Sequence, residues 1–201
     1  MIDVLSKSAR QPEAAASGRD LAVNGLVLGV AGMIWFGWAQ AEPPAGWATP
    51  LVIGSVLAML LAVIGVPLTR RHRHGPSAAR DPRGRRTYGW VVGIETLTIA
   101  AGAAILAGTG LAAYLPAWIL FVVGMHFLPL ARLFRIRSLG VTGLLLVVIS
   151  AVAAVAGRSG SAPPSTVAGG AGGLILVMSG ALSLFRSWQQ SPGADQRHAA
   201  A

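Results

Sequence analysis

The sequence predicts an all-α fold, a polytopic membrane bundle of six transmembrane helices. Three observations predict it. Hydrophobic residues make up 54% of the 201 positions and charged residues only 11%, against about 25% charged in a soluble domain. Six stretches each approach the roughly 20 apolar residues that a helix needs to cross a bilayer. Finally, the 16 Lys and Arg residues cluster between alternate stretches, the pattern that a chain crossing a membrane six times produces. The mean hydropathy of +0.63 describes an apolar excess too large for one soluble core of this length. Cysteine is absent, which excludes disulfides, Cys-ligated zinc, iron–sulfur clusters and thiol catalysis.

The elements follow in order. A polar, Ala- and Ser-rich segment, residues 1–20, is expected to be a mobile tail. The first span covers about residues 21–39. Its apolar run exceeds the length of a signal-peptide core and carries Trp35 and Trp38, so an uncleaved first helix is expected. The second span, about 50–68, is unbroken and ends at Pro67-Leu68-Thr69-Arg70. A basic loop, 69–88, leads to the third span, about 89–107. Gly108 to Gly110 separate this from the fourth, about 111–131, which ends at Leu128-Pro129-Leu130-Ala131-Arg132. The fifth covers about 139–156 and the sixth about 167–185, with a polar tail at 188–201. Several connections are short, so neighbours should pack as antiparallel hairpins. The similar endings of the second, fourth and sixth spans suggest three hairpins in one orientation. The runs are too long and unbroken for the alternating strands of a membrane barrel.

Charge gives the orientation. Fifteen of the sixteen basic residues fall on one side, and Arg158 alone falls on the other. Cytoplasmic loops collect Lys and Arg, so both termini are expected in the cytoplasm of a bacterial plasma membrane. Trp35, Trp38, Trp47 and Tyr114 then mark the outer interface, and Tyr88, Trp90 and Trp188 the inner one. Arg70, Arg71, Arg73, Arg83, Arg85, Arg86, Arg132, Arg135 and Arg137 are expected to contact anionic lipid headgroups, each contributing about 1 kcal/mol. The net charge of +9 is therefore a topology signal. It is split among loops, without the folded basic face that nucleic-acid binding requires. His72 and His74 alternate with arginines that repel a cation, so no metal site is expected there.

Charged side chains are costly inside lipid and call for an explanation. Glu95 and His126 are the titratable residues well inside a span. Glu95 lies about 10 Å past Tyr88, and His126 about 9 Å before Arg132. Both depths fall in the half that carries the arginines, and the third and fourth spans form one hairpin, so the two side chains can be neighbours. Asn24 lies about 6 Å in on the same side, and Thr98 follows Glu95 on one helix face. These four residues form the candidate intramembrane polar site. Pro129 has no N–H, which frees the carbonyl of Met125 beside His126. Thr142, Ser179 and Ser183 fall at similar depth. Two readings compete: a proton-exchanging pair in a cavity open to the cytoplasm, as in a small transporter or permease-like module, or polar residues that only fix helix register in a structural or accessory membrane protein. Leu120 is expected to face lipid. No catalytic residue and no cofactor are expected. The chain lacks a P-loop, a metalloprotease His-Glu-x-x-His and a Gly-x-Ser-x-Gly elbow, and one intramembrane His cannot give bis-His haem ligation.

Small residues let membrane helices approach closely. Gly25 with Gly29, Gly89 with Gly93, and Gly169 with Gly173 have the GxxxG spacing, and these faces serve packing inside the chain, a homo-oligomer or a membrane partner.

The run from Gly124 to Phe134, with His126 and Pro129 inside it, resembles a stretch in small uncharacterised multi-span bacterial membrane proteins of about this length. The resemblance covers eleven residues and implies a fold type without an activity. Fifteen Arg against one Lys, with abundant Ala and Gly, looks like the composition of a high-GC, actinobacterial-like source.

Overall fold

A computed structural model describes residues 16–77 and 81–190. Expectations that rest on Lys7, Arg10, Arg80 and Arg197 lie outside them. Six α-helices follow in chain order: α1 (Gly18–Ala39), α2 (Ala48–Arg71), α3 (Pro82–Gly108), α4 (Leu115–Phe134), α5 (Arg137–Ser159) and α6 (Pro164–Gln189). All six are long and apolar enough to cross a membrane. At 1.5 Å per residue, even the 20 residues of α4 reach about 30 Å, the thickness of the hydrocarbon core. The chain is a multi-pass helical membrane protein.

The helix ends follow local chemistry. Ser17 caps α1 by accepting from the Asp20 N–H, and Asp81 caps α3 by accepting from the Gly84 N–H, with Pro82 in the first turn, where its missing N–H costs nothing. Because of that Asp-Pro start, much of the basic stretch expected as a loop is helical. Arg83, Arg85 and Arg86 lie on the first turns of α3, and Arg70 and Arg71 on the last turn of α2. Their long stems let the guanidinium groups sit beyond the apolar part of the helix. A turn at Gly110, with φ 75°, and a short 3-10 turn at Ala112–Tyr114 connect α3 to α4. Arg135 has φ 56°, a left-handed conformation uncommon for a residue with a Cβ. It ends α4 so abruptly that only Arg135 and Ile136 separate it from α5.

One end of the bundle gathers the starts of α1, α3 and α5 and the ends of α2, α4 and α6. Contacts there include Arg19 to the Arg73 carbonyl, Ser187 to the Gly18 carbonyl, and the His72 ring to the Ser187 carbonyl. Every described arginine except Arg158 belongs to this basic end. At the opposite end, Thr166 donates to the Glu42 carbonyl.

Helix α6 is the hub, touching α1, α2, α4 and α5. Its small residues make this possible. Gly169, Gly172, Gly173, Ser179, Gly180, Ser183 and Ser187 are all buried. A Cβ added at Gly169 would lie 2.5 Å from the Trp35 carbonyl oxygen, and one at Gly180 2.8 Å from Leu61. Gly25 and Gly29 play the same part on α1, against Leu184 of α6 and the Ala62 backbone of α2. On α4 and α5, Gly124 and Gly143 face each other's carbonyl oxygens at 2.8 and 2.6 Å from their would-be Cβ positions. Leu120, expected to face lipid, is fully buried. Gly172 leaves the hole it fills, since a Cβ there would lie 2.8 Å from the Leu120 side chain.

Helix α3 stands apart. Over its most apolar stretch it buries 6% of its positions, against 56% for α6. Its substantial packing is against α4, and of its 27 residues only Gly84 and Gly102 are buried.

Replacing Gly29 or Gly169 with Leu is expected to destabilise the bundle by about 1–3 kcal/mol or more, the range for over-packing. Gly37 has nothing within 4 Å of an added Cβ, so Gly37→Leu is expected to be close to neutral. Unfolding curves in mixed micelles measure the difference.

Candidate functional site

Glu95 and His126 meet across the α3–α4 seam. Helix α3 carries Glu95 two turns in from Tyr88, and α4 carries His126 three residues before Pro129. The His126 Nδ1 lies 3.1 Å from Glu95 Oε2, and the two side chains are 8% and 18% exposed. The ring nitrogen makes no directed hydrogen bond, so the contact is a close approach of two ionisable groups rather than an aligned hydrogen bond. The imidazole also lies against the backbone of Val91.

The pair lines a cleft of about 210 Å³ between α3 and α4. Thr98, Met125, Phe121 and Pro129 also line it. The Thr98 hydroxyl donates to the Ile94 carbonyl at 2.7 Å, so it keeps acceptor capacity on its second lone pair. Ile94, Phe121 and Met125 are exposed, and residues of α3 and α4 alone form the walls. The cleft therefore opens on the flank of the bundle. The sequence led to the expectation of an opening toward the cytoplasm. The flank opening arises because α3 lacks a second neighbour that would close it.

Two further clefts lie along the same seam. Toward the basic end, a polar one of about 530 Å³ is lined by Asp20, Ser77, Asp81, Arg83, Thr87 and Arg135 among others. The Ser77 hydroxyl donates to Asp20 Oδ1 at 2.6 Å. Tyr88 and Phe134 meet edge to face, with ring centroids 6.3 Å apart, and Phe134 also lines this cleft. Toward the other end, an apolar cleft of about 580 Å³ is bounded by Leu97, Gly102 and Trp118. Trp118 fastens α3 here. Its indole N–H reaches the Thr98 carbonyl at 3.3 Å, and a Cβ at Gly102 would collide with the ring.

Asn24 is not part of this constellation. Its side-chain amide donates to the Ser183 hydroxyl at 2.9 Å, which donates to the Ser179 carbonyl at 3.0 Å. The Ser179 and Thr142 hydroxyls share a bond of 2.6 Å. The result is a polar ladder joining α1, α6 and α5 inside the closely packed half. Equal depth placed Asn24 with Glu95 in the sequence reading, but depth is one coordinate and the helix face is another. Thr142, Ser179 and Ser183 share this depth. Their match to Asn24 carried no sequence signal beyond shared depth.

The nine arginines expected to contact headgroups, Arg70, Arg71, Arg73, Arg83, Arg85, Arg86, Arg132, Arg135 and Arg137, are all exposed at the basic end. His72 and His74 are engaged elsewhere, by the Ser187 carbonyl and by the Arg73 Nε–H respectively.

Interhelical hydrogen bonds in membranes average about 0.6 kcal/mol by double-mutant cycles, with a maximum near 1.7. A cycle of Asn24→Ala with Ser183→Ala is expected to give a coupling in that range. A cycle of Asn24→Ala with Glu95→Gln is expected to give none, because the two sites share no partner. Thermal unfolding in detergent reads both.

No protein-family model, no curated protein and no solved structure matches this chain. By its own geometry it is a multi-pass helical membrane protein with an ionisable pair on its least packed seam.

Proposed function

We propose that the chain is a small permease-like membrane module whose working part is the α3–α4 seam. Glu95 and His126 serve as the station where a proton exchanges or a small cationic or polar ligand pauses. The observation that carries this reading is the placement of two ionisable side chains 3.1 Å apart in a cleft of about 210 Å³. Ionisable residues within membrane spans mark ion and substrate pathways by default. A carboxylate and an imidazole can pass a proton between them, and the carboxylate beside Phe121 and Met125 suits a protonated amine. The polar cleft toward the basic end offers an approach for water. Segregation of the arginines supports an orientation with that end in the cytoplasm and the protein in a bacterial plasma membrane.

A second reading has its own observation. Of the three GxxxG pairs, those on α1 and α6 are consumed inside the bundle, whereas Gly89 and Gly93 of α3 have nothing within 4 Å. On this reading α3 awaits a partner helix, from a second copy or from another membrane protein, and the chain is an accessory subunit.

The absence of native cysteine makes the test direct. Under the permease reading, Glu95→Cys and His126→Cys in intact membranes are expected to react with a small water-soluble thiol reagent. Met178→Cys, on an exposed lipid-side position of α6, is expected to stay unlabelled. Vesicles holding the wild-type protein should dissipate an imposed pH gradient faster than those holding Glu95→Gln. Folded but unlabelled variants with unchanged proton flux would remove the permease reading. Disulfide-linked dimers of Gly93→Cys would then favour the accessory one.

A further inference from the structure

A wide cleft lies away from the Glu95–His126 pair, at the end opposite the arginines. Its volume is about 720 Å³, within the range of ligand sites. One wall is a stripe of α5, Val147, Ala151, Ala154 and Arg158, whose spacing of four, three and four residues puts all of them on one helix face. The other wall is formed by Tyr114, at the end of the 3-10 turn, and by Trp118 and Phe121 of α4. Trp118 and Phe121 stack with centroids 5.9 Å apart. The lining is apolar apart from Tyr114, Ser150 and Arg158. Ser150 at its floor is satisfied by the Val147 carbonyl at 2.6 Å.

Three features define what this shape takes. From Val147 to Arg158 the α5 stripe rises about 16 Å, which is half the roughly 30 Å hydrocarbon thickness and so the depth of one leaflet. Arg158 is exposed, lies in the last turn of α5, and pairs with no carboxylate of a described residue. It is also the one described cation at this end, where a guanidinium matches a phosphate in charge and geometry. We propose that the cleft is a binding site for one anionic phospholipid, its acyl chain between α4 and α5 and its phosphate on Arg158. This assignment stands independently of the role given to Glu95 and His126.

The probe is the fluorescence of Trp118, taken as the difference between the wild-type chain and Trp118→Phe in phosphatidylcholine nanodiscs. Phosphatidylglycerol with brominated acyl chains is added in one arm, and brominated phosphatidylcholine in the other. The anionic lipid is expected to quench Trp118 at about fivefold lower mole fraction, the preference that one arginine confers for an anionic headgroup. Arg158→Gln should abolish the difference without weakening quenching by phosphatidylcholine. Ala151→Phe, which fills the cleft, should weaken quenching by both lipids. Millimolar inorganic phosphate should leave the preference intact. A second readout guards against disturbance by Trp118→Phe: phosphatidylglycerol co-purifying with the wild-type protein and lost from Ala151→Phe, measured by mass spectrometry. Equal quenching by the two lipids, a preference that survives Arg158→Gln, or displacement by free phosphate would overturn the proposal.

Discussion

Close backbone approach along α6 is the constraint on which the rest of the structure depends. Lipid is as apolar as leucine, so burial of apolar surface does not drive helices together inside a bilayer. Contact must come from shape. Helix α6 supplies it with a face of glycines and serines, and α1 answers with Gly25 and Gly29. The approach leaves no room for a Cβ at these positions, and it brings the Asn24, Ser183, Ser179 and Thr142 side chains into hydrogen-bonding range. Each such bond is modest, but together they give register to helices whose apolar sides are interchangeable.

What lies outside that packed half explains the candidate site. Helix α3 has its glycines in the wrong places to join the hub. Gly89, Gly93 and Gly108 meet open space, and Gly102 receives a knob, the Trp118 ring. The helix is fastened to α4 at the Tyr88–Phe134 contact, the Glu95–His126 pair and Trp118. Clefts remain between the fastenings. Sparse packing and buried ionisable groups thus coincide on one seam, where opening disturbs few contacts. The polar groups of the molecule are divided accordingly: neutral hydroxyls and an amide inside the rigid half, and the titratable pair on the loose one.

The number of helices was legible in the sequence because lipid imposes a simple length requirement on apolar runs. The proximity of Glu95 and His126 was legible as well, since depth and one shared hairpin bring them together. Which way each helix faces was not. Spans that are apolar all round carry no stripe to point at the core, and for that reason Leu120 read as lipid-facing although it fills the hole at Gly172. Asn24 matched Glu95 in depth yet faces Ser183 of α6. GxxxG spacing alone did not distinguish the two glycine pairs used inside the bundle from the pair left bare on α3. The Asp81-Pro82 start of α3 was readable in principle from capping chemistry, but the dense arginines that follow masked it as a loop.

The division between a rigid half and a loosely fastened α3 is the central claim, and pulsed electron-spin distance measurements test it most directly. Nitroxides on introduced cysteines would pair the exposed ends of α1 and α6 in one sample, and those of α3 and α4 in another, in lipid nanodiscs. A narrow distribution is expected for α1–α6 and a distinctly broader one for α3–α4, which broadens further in Glu95→Gln as one fastening is lost. Equally narrow distributions for both pairs, unchanged by Glu95→Gln, would contradict this division.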